Sequence, residues 1–249
     1  MNTTQVNILA KVLRFIRVVY YTIVMYLVTH ALVLAFFLIW LMLSLFSPEK
    51  ITKIKKDFCT LLFKILNKEI VISGLNNIES GKHYIIVANY PSGYAGFVMM
   101  LLFPEASILV HGFMSKVPVL SSLLKRSGFI YARRRGYKEI RNVIREMLRT
   151  VQAGSLIILP EGKPTSDGRI HEFKRGFIHI VRNSSLDLLP ITLNGFNKLK
   201  PFFNRFYLDP DTQLEVIIHK PIVQPIIKSM SDEKLSKKVM NIIKSDYRP

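Results

Sequence analysis

Two turns in the sequence contain the side chains best suited to chemistry, and each turn follows an apolar run. The first, residues 89–94, reads N-Y-P-S-G-Y and contains no histidine, carboxylate or cysteine. Tyr90, Ser92 and Tyr94 can donate hydrogen bonds to a carbonyl oxygen or an oxyanion, but none of them is a ready base. The structural alternative is that Asn89 and Ser92 only cap the helix that follows.

The second turn, residues 160–168, combines a glutamate with prolines, glycines and a lysine. Such turns expose backbone N–H groups that can cradle an anion, and Lys163 adds a positive charge beside Gly162. Lys174 and Arg175 open a further apolar stretch, where a helix N-terminus next to arginine suits a phosphate group. A surface loop with ordinary solvated charges is the alternative.

Four blocks of the chain resemble, in the same order and at about the same spacing, the motifs of the glycerolipid or lysophospholipid acyltransferase superfamily. The blocks are A-N-Y-P-S-G-Y-A at 88–95, G-F-I-Y-A-R-R at 128–134, L-P-E-G-K-P-T at 159–165 with F-K-R-G at 173–176, and L-P-I at 189–191. They resemble the family's N-H-x-S-x-x-D, G-x-I-F-I-D-R, F-P-E-G-T-R-S with F-K-x-G, and V-P-V. The resemblance implies one α/β acyltransferase-like domain, with a mostly parallel central sheet flanked by helices.

The resemblance also implies roles for single residues, and it removes the usual base. Glu161 and Gly162 match the glutamate and glycine that bind and position the glycerophosphate acceptor, and Arg134 matches the arginine associated with its phosphate. The family's catalytic histidine and aspartate correspond to Tyr90 and Ala95. Tyrosine, with an ordinary pKa of about 10, is a poor base at neutral pH, and alanine cannot orient an imidazole.

Other residues are candidates to replace the missing base. His171 lies between the Glu161 turn and Lys174. His111 follows a predicted strand; its structural alternative is a local hydrogen bond at the end of that strand. Glu161 becomes a base if burial raises its pKa. The predicted catalytic candidates are Tyr90, Ser92, His111, Glu161 and His171. The predicted substrate-binding residues are Asn89, Tyr94, Arg134, Gly162, Lys163, Lys174 and Arg175.

Three functions fit a family member without the histidine and aspartate. The first is a transferase of the branch that lacks the pair, and the chain resembles this branch, which includes the lipid A glycyltransferase of polymyxin resistance. The second is an acyltransferase with a substitute base. The third is a catalytically dead lipid-binding protein. We predict a membrane-bound transferase that moves an acyl or aminoacyl group onto lipid A or a lysophospholipid. A carrier protein or coenzyme A would bring the group as a thioester. We expect no bound cofactor and no metal, because Cys59 is the only cysteine and the histidines lack ligand spacing.

Short apolar runs rich in β-branched residues alternate with helical patterns, which is typical of one α/β domain. Several of these runs are continuous rather than alternating, which predicts strands buried on both faces. The predicted strands are 70–72, 83–88, 107–110, 128–131, 156–159, 188–193 and 214–219. The predicted helices are 51–67, 137–153 and 229–245.

The N-terminal part of the chain has the character of a membrane segment. Residues 18–48 contain no Asp, Glu, Lys or Arg, and a straight span needs roughly 20 apolar residues. Basic residues flank both ends, which favours a hairpin bending near Thr29-His30 with both ends cytoplasmic; a single span is the alternative. We therefore predict a membrane-associated helical segment at 1–50 and the α/β domain at 51–249, on the cytoplasmic face of a bacterial inner membrane.

The formal net charge of +18 and the pI near 10 predict an anionic partner. An anionic membrane surface, a phosphorylated lipid and an acidic carrier protein all fit this charge. We exclude nucleic acid, because neither an arginine-rich recognition helix nor a zinc-finger spacing occurs in the sequence.

Overall fold

The predicted strands form one seven-stranded sheet in the computed structural model, which describes residues 3–46, 50–111, 128–132, 137–199 and 208–248. The strands are β1 Ile70–Ser73, β2 Tyr84–Ala88, β3 Ser107–His111, β4 Phe129–Ala132, β5 Leu156–Ile158, β6 Asp187–Asn194 and β7 Leu214–Ile218. Their spatial order is β1-β7-β6-β2-β5-β3-β4. All pairs are parallel except β6 with β7, so the predicted mostly parallel α/β sheet is confirmed.

Helices flank the sheet, and most of their predicted positions are confirmed. They are α1 Thr3–Phe46, α2 Ile51–Ile65, α3 Tyr94–Leu102, α4 Tyr137–Ala153, α5 Gly176–Arg182, α6 Gln224–Ser229 and α7 Asp232–Ser245. The helix predicted at 229–245 begins later, at Asp232, because the Ser231 side chain caps it by accepting a hydrogen bond from the backbone N–H of Lys234.

Strand β2 shows why its run is continuously apolar: all five of its residues are buried. Tyr84, Ile86 and Ala88 belong to the core between the sheet and α2 and α3. Ile85 and Val87 belong to the core on the opposite face, beneath α4, α5 and α7. Successive side chains of a strand point to opposite faces, so a strand covered on both sides is apolar at every position.

The pairing of β2 with both β5 and β6 brings the two turns of interest together. Val87 pairs with Ile158 of β5, and Ala88 pairs with Ile191 of β6. The turn after β2 and the turn after β5 therefore leave the sheet side by side at its carboxyl edge. Ligands of open α/β sheets bind at this edge.

Helix α1 is continuous through Thr29 and His30, so the predicted hairpin is wrong. Charge at both ends of a segment does not encode a bend, and residues 18–46 contain no proline or glycine to break the helix. Within it, residues 8–36 have a mean hydropathy of 1.9. By length and composition, this stretch is sufficient to cross a membrane.

One face of α1 packs against the α/β domain. The Tyr21 hydroxyl donates to the backbone carbonyl of Leu66, and Thr22 Oγ1 accepts from the backbone N–H of Leu208 at 2.9 Å. The rings of Phe36 and Phe58 stack at 4.0 Å. Large apolar side chains on other faces of α1 are exposed, among them Leu13, Ile16, Tyr20, Ile23, Leu27, Leu34 and Leu38. Thus α1 lies along the domain and presents a long apolar surface.

Candidate active site

The turn after β2 begins with Asn89, whose side chain joins two strands. Its Nδ2 donates to the backbone carbonyl of Leu193 at 3.0 Å, and its Oδ1 accepts from the backbone N–H of Leu193 at 2.7 Å. The residue is only 1% exposed. The structure therefore assigns Asn89 to the link between β2 and β6, and not to the substrate contact or helix cap expected from the sequence.

Ser92 is not a helix cap either, because α3 begins after Gly93 without a side-chain cap hydrogen bond. Ser92 is 1% exposed, and within the described part of the chain its Oγ has no hydrogen-bond partner. A buried polar group left unpaired costs about 1–3 kcal/mol. A substrate oxygen placed beside this hydroxyl would remove that cost.

The two tyrosines of the turn face different surroundings. Tyr90 lines a cavity, and burial raises the pKa of its hydroxyl, which makes it a still poorer base. Tyr94 is buried, and its side chain forms a hydrogen bond with Thr29 of α1; burial raises its pKa despite this bond. Tyr94 therefore contacts α1 instead of the substrate site predicted for it.

Glu161 fixes the turn after β2 to the segment after β5, which we call the Glu161 loop (residues 159–175). Its Oε1 accepts from the backbone N–H of Tyr90 at 2.6 Å, and its Oε2 accepts from the backbone N–H of His171 at 3.0 Å. The backbone N–H of Thr165 also donates to the carbonyl of Tyr90 at 2.9 Å. Burial raises the pKa of Glu161, although its two backbone hydrogen bonds oppose this.

His171 pairs with a carboxylate that the sequence analysis missed. Its Nε2 lies 3.0 Å from Oδ1 of Asp167, which also accepts from Thr165 Oγ1 at 2.8 Å and from the backbone N–H of Arg169 at 3.0 Å. The Arg169 and Thr165 hydrogen bonds, followed by the charge of His171, lower the pKa of Asp167 to about 2. The i, i+4 spacing of Asp167 and His171 was the available signal.

A cavity of about 630 Å³ lies at the carboxyl edge of the sheet, where residues of β3 and β5 and of helices α3, α4 and α5 line it. The described residues that line it are mostly apolar, such as Phe97, Ile108, Val143, Met147 and Phe177. Tyr90, Gly162 and Lys174 also line it, which places the two turns at its polar end. The volume is in the range usual for small-molecule sites.

Gly162 and Lys174 share the space at this end of the cavity. Gly162 has a φ of +70°, and a Cβ there would lie 2.1 Å from Nζ of Lys174. Only glycine therefore combines this backbone conformation with the observed position of the ammonium group. The position of Lys174 is compatible with the predicted contact to an anion, and this substrate-binding role of Lys174 stays a prediction.

Of the remaining predicted residues, Lys163 and Arg175 belong to the Glu161 loop, whereas the side chains of Arg134 and His111 are not described. Lys163 is in an exposed turn. Lys237 and then Arg175 lower the pKa of Glu233, which places Arg175 near α7. Arg134 is outside the described residues. His111 ends β3 in register with Ala132, and its side chain is not among those described. Among the described residues, no group of three or more metal-ligating side chains is found.

Comparison with known proteins identifies the family to which this fold belongs. Residues 69–194, about half of the chain, match the protein-family model described as Acyltransferase. The chain belongs to the acyltransferase family. The matched residues include both turns of the candidate site and the strands β1 to β6.

Several relatives of this acyltransferase-family chain are 1-acyl-sn-glycerol-3-phosphate acyltransferases. A chloroplastic one from Brassica napus is 26% identical over 176 residues, which is 69% of this chain and 51% of that protein. A probable one from Mycoplasma pneumoniae is 20% identical over 244 residues, covering 89% of this chain and 91% of that protein. The chain spans about half the length of the plant relatives that it matches.

The crystal structure of a 1-acyl-sn-glycerophosphate acyltransferase from Thermotoga maritima is similar to this acyltransferase-family chain. The TM-score is 0.75 at 21% identity, and the match covers 93% of this chain and 95% of that one. At this identity the likeness shows the fold. It extends over nearly the whole chain and therefore beyond the residues of the family match.

Proposed function

We propose that this acyltransferase-family member transfers a fatty acyl group from a thioester to the hydroxyl group of a lysophospholipid. The observation that carries the proposal is the apolar cavity of about 630 Å³ that ends at Tyr90, Gly162 and Lys174. Burying each CH₂ group contributes about 0.8 kcal/mol, so a long acyl chain is a suitable occupant. The names of the relatives make lysophosphatidic acid the first acceptor to test.

The polar end of the cavity supports this assignment of substrates. Lys174 places an ammonium group there, next to the backbone of Gly162, where an acceptor phosphate would be stabilised. Ser92 provides a buried hydroxyl without a partner in the described residues, suited to a carbonyl oxygen that becomes an oxyanion.

The aminoacyl and lipid A hypothesis is weaker in this geometry. A glycyl group has no chain to fill an apolar cavity, and its ammonium would lose hydration against the apolar walls. The alternative of a lipid-binding protein without turnover rests on Tyr90 and Ala95, which stand where the resemblance places histidine and aspartate. Both alternatives predict a different outcome in the same assay.

In the assay, the purified protein is incubated with palmitoyl and glycyl thioesters, each carried on coenzyme A and on an acidic acyl carrier protein. Lysophosphatidic acid and lipid A serve as acceptors, and products are identified by mass spectrometry. Palmitoyl transfer to lysophosphatidic acid supports the proposal, and glycyl transfer to lipid A supports the aminoacyl alternative. Binding of palmitate without any transfer supports the lipid-binding alternative.

A carrier protein has a suitable docking surface on α4. Arg141, Arg145 and Arg149 lie exposed at helical spacing, while Val143 and Met147 of the same helix line the cavity. An acidic carrier bound along these arginines would bring its thioester beside the cavity. Charge reversal at Arg145 and Arg149 is then expected to raise the KM for the carrier-bound donor far more than the KM for the coenzyme A donor.

For membrane association, we propose that α1 lies in one leaflet on the cytoplasmic face of a bacterial inner membrane. Its contacts with Leu66, Leu208 and Phe58 support this, since a perpendicular span would carry these parts of the domain into the bilayer. The basic residues near the start of α1 and along α2 would add about 1 kcal/mol each on an anionic surface. The boundary predicted near residue 50, between the membrane-associated segment and the α/β domain, falls between α1 and α2 and stays a prediction.

A further inference from the structure

We infer that His171, held by Asp167, is the general base that replaces the missing histidine and aspartate of the turn after β2. This inference rests on the proposed acyl transfer and names the group that deprotonates the acceptor. The observation behind it is the distance of 3.0 Å between Nε2 of His171 and Oδ1 of Asp167, in a loop hydrogen-bonded to Tyr90.

The contact fixes which nitrogen is available for catalysis. With Nε2–H donating to Asp167, the lone pair resides on Nδ1, as a base requires. Asp167 is itself held by Thr165 Oγ1 at 2.8 Å and by the backbone N–H of Arg169 at 3.0 Å. These bonds favour its ionised form, so the carboxylate is present to stabilise an imidazolium.

The loop that carries the pair is fixed at two points to the turn beside the cavity. His171 and Tyr90 donate their backbone N–H groups to the two oxygens of the same carboxylate, that of Glu161. Thr165, two residues before Asp167, donates its backbone N–H to the carbonyl of Tyr90. Because Tyr90 lines the cavity, these bonds hold the backbone of the loop at Thr165 and His171 next to the turn that lines the cavity.

The His171 side chain is 48% exposed, so an acceptor from outside can reach it. Among the described residues, the ionisable groups that interact with the pair are Glu161 of the same loop and Tyr247 of the C-terminal segment. Tyr247 donates its hydroxyl to the backbone carbonyl of Gly168 at 2.6 Å. Burial, together with the charges of Glu161 and Asp167, raises the pKa of Tyr247 to about 12. Tyr247 therefore stays neutral and does not compete for the proton.

The proposed step balances without any further reagent. Nδ1 of His171 takes the proton of the acceptor hydroxyl while the oxygen of that hydroxyl forms a bond to the thioester carbonyl carbon. The tetrahedral oxyanion then re-forms the carbonyl, the carbon–sulfur bond breaks, and the imidazolium returns the proton to the leaving thiolate. An ester and a free thiol result, and the histidine ends in its starting protonation state.

The test compares His171→Gln and Asp167→Asn with His83→Gln, a control at an exposed histidine that precedes β2 at the opposite end of that strand. General-base catalysis contributes about 10²–10⁴-fold. We expect kcat of His171→Gln to fall at least 100-fold with the donor KM within threefold of wild type. We expect a smaller fall for Asp167→Asn and no change for His83→Gln. The wild-type pH–rate profile should lose its acidic limb in His171→Gln, a loss that a merely structural role would not produce.

Two further measurements make the result decisive. Added imidazole should restore turnover in His171→Gly, and binding of a fluorescent fatty acid should be unchanged in all variants if they remain folded. A His171→Gln protein that retains more than half of wild-type kcat overturns the inference and leaves the proposed function standing. Wild-type protein that transfers nothing overturns both.

Discussion

The backbone N–H of Tyr90 donates to the carboxylate of Glu161 at 2.6 Å, which joins the turn after β2 to the loop after β5. Glu161 is 5% exposed and also accepts from the backbone N–H of His171. The site is thus held together by a buried carboxylate whose direct partners are backbone groups. Replacing Glu161 therefore tests how the site is assembled.

Glu161→Gln should lower the free energy of unfolding by about 1–3 kcal/mol, because the amide NH₂ of glutamine would face a backbone donor. Urea unfolding measures the loss, and Glu172→Gln, at an exposed glutamate of the same loop, is the matched control. Transfer activity should fall along with stability. Equal stability of the two variants would contradict the assembly role of Glu161.

The stability of the protein should also depend on pH through Glu161. Burial raises its pKa in the folded state above the ordinary 4.5, so the folded protein binds more protons than the unfolded chain at pH values just above 4.5. The contribution of Glu161 to the unfolding free energy therefore decreases as pH rises through that range. Subtracting the pH profile of Glu161→Gln from that of wild type isolates this slope, which should be negative.

Gly162→Ala should impair acceptor binding more than it impairs folding. The positive φ of +70° makes alanine unfavourable by about 1–2 kcal/mol, and the new Cβ would displace the flexible end of Lys174. Gly81→Ala is the control, because its φ is +76° and a Cβ there meets nothing within 4 Å. Both variants should lose similar stability, but only Gly162→Ala should raise the KM for the phosphorylated acceptor, by tenfold or more.

Val143→Phe should shift the preferred acyl donor toward shorter chains. Val143 lines the cavity, whereas its neighbour Asn142 is exposed on the same helix, so Asn142→Phe adds a ring outside the cavity. Each CH₂ that no longer fits forfeits about 0.8 kcal/mol, close to fourfold in kcat/KM. Rates measured across donors of increasing length should separate the two variants. An unchanged length preference in Val143→Phe would place the acyl chain elsewhere.

Leu27→Asp should weaken binding to vesicles that contain phosphatidylglycerol by at least tenfold. Leu27 is 63% exposed on α1, and aspartate is strongly disfavoured in apolar lipid. Ile226→Asp on α6 is the control, since α6 belongs to the opposite face of the sheet. Co-flotation with vesicles measures binding. If both variants bind as wild type does, α1 is not the membrane contact.

The sheet could be predicted from the sequence because burial on both faces leaves a direct signature in consecutive apolar residues such as those of β2. The course of α1 was mistaken because charges flanking a segment were weighed above the absence of helix-breaking residues within it. Burial of a strand on both faces is therefore encoded in a local run of apolar residues, whereas the course of α1 was encoded in the absence of proline and glycine.

The site was predictable only in part, because its geometry depends on contacts between distant segments. The importance of Glu161 followed from the resemblance, but its bonds to Tyr90 and His171 join residues 71 and 10 positions away. Asn89 was expected to face a substrate or cap a helix, and instead bonds to Leu193, 104 residues distant. The pairing of Asp167 with His171 was within reach, since the two are only four residues apart.

The hydrogen bond between Thr29 of α1 and Tyr94 at the start of α3 has a consequence for the kinetics. With α1 in one leaflet as proposed, this bond holds the start of α3, and with it the site, at a fixed height above the lipid. Enzyme and acceptor then meet by lateral diffusion in two dimensions. Turnover should follow the mole fraction of lysophospholipid in the surface, and dilution with inert lipid should slow it even when the bulk concentration is unchanged.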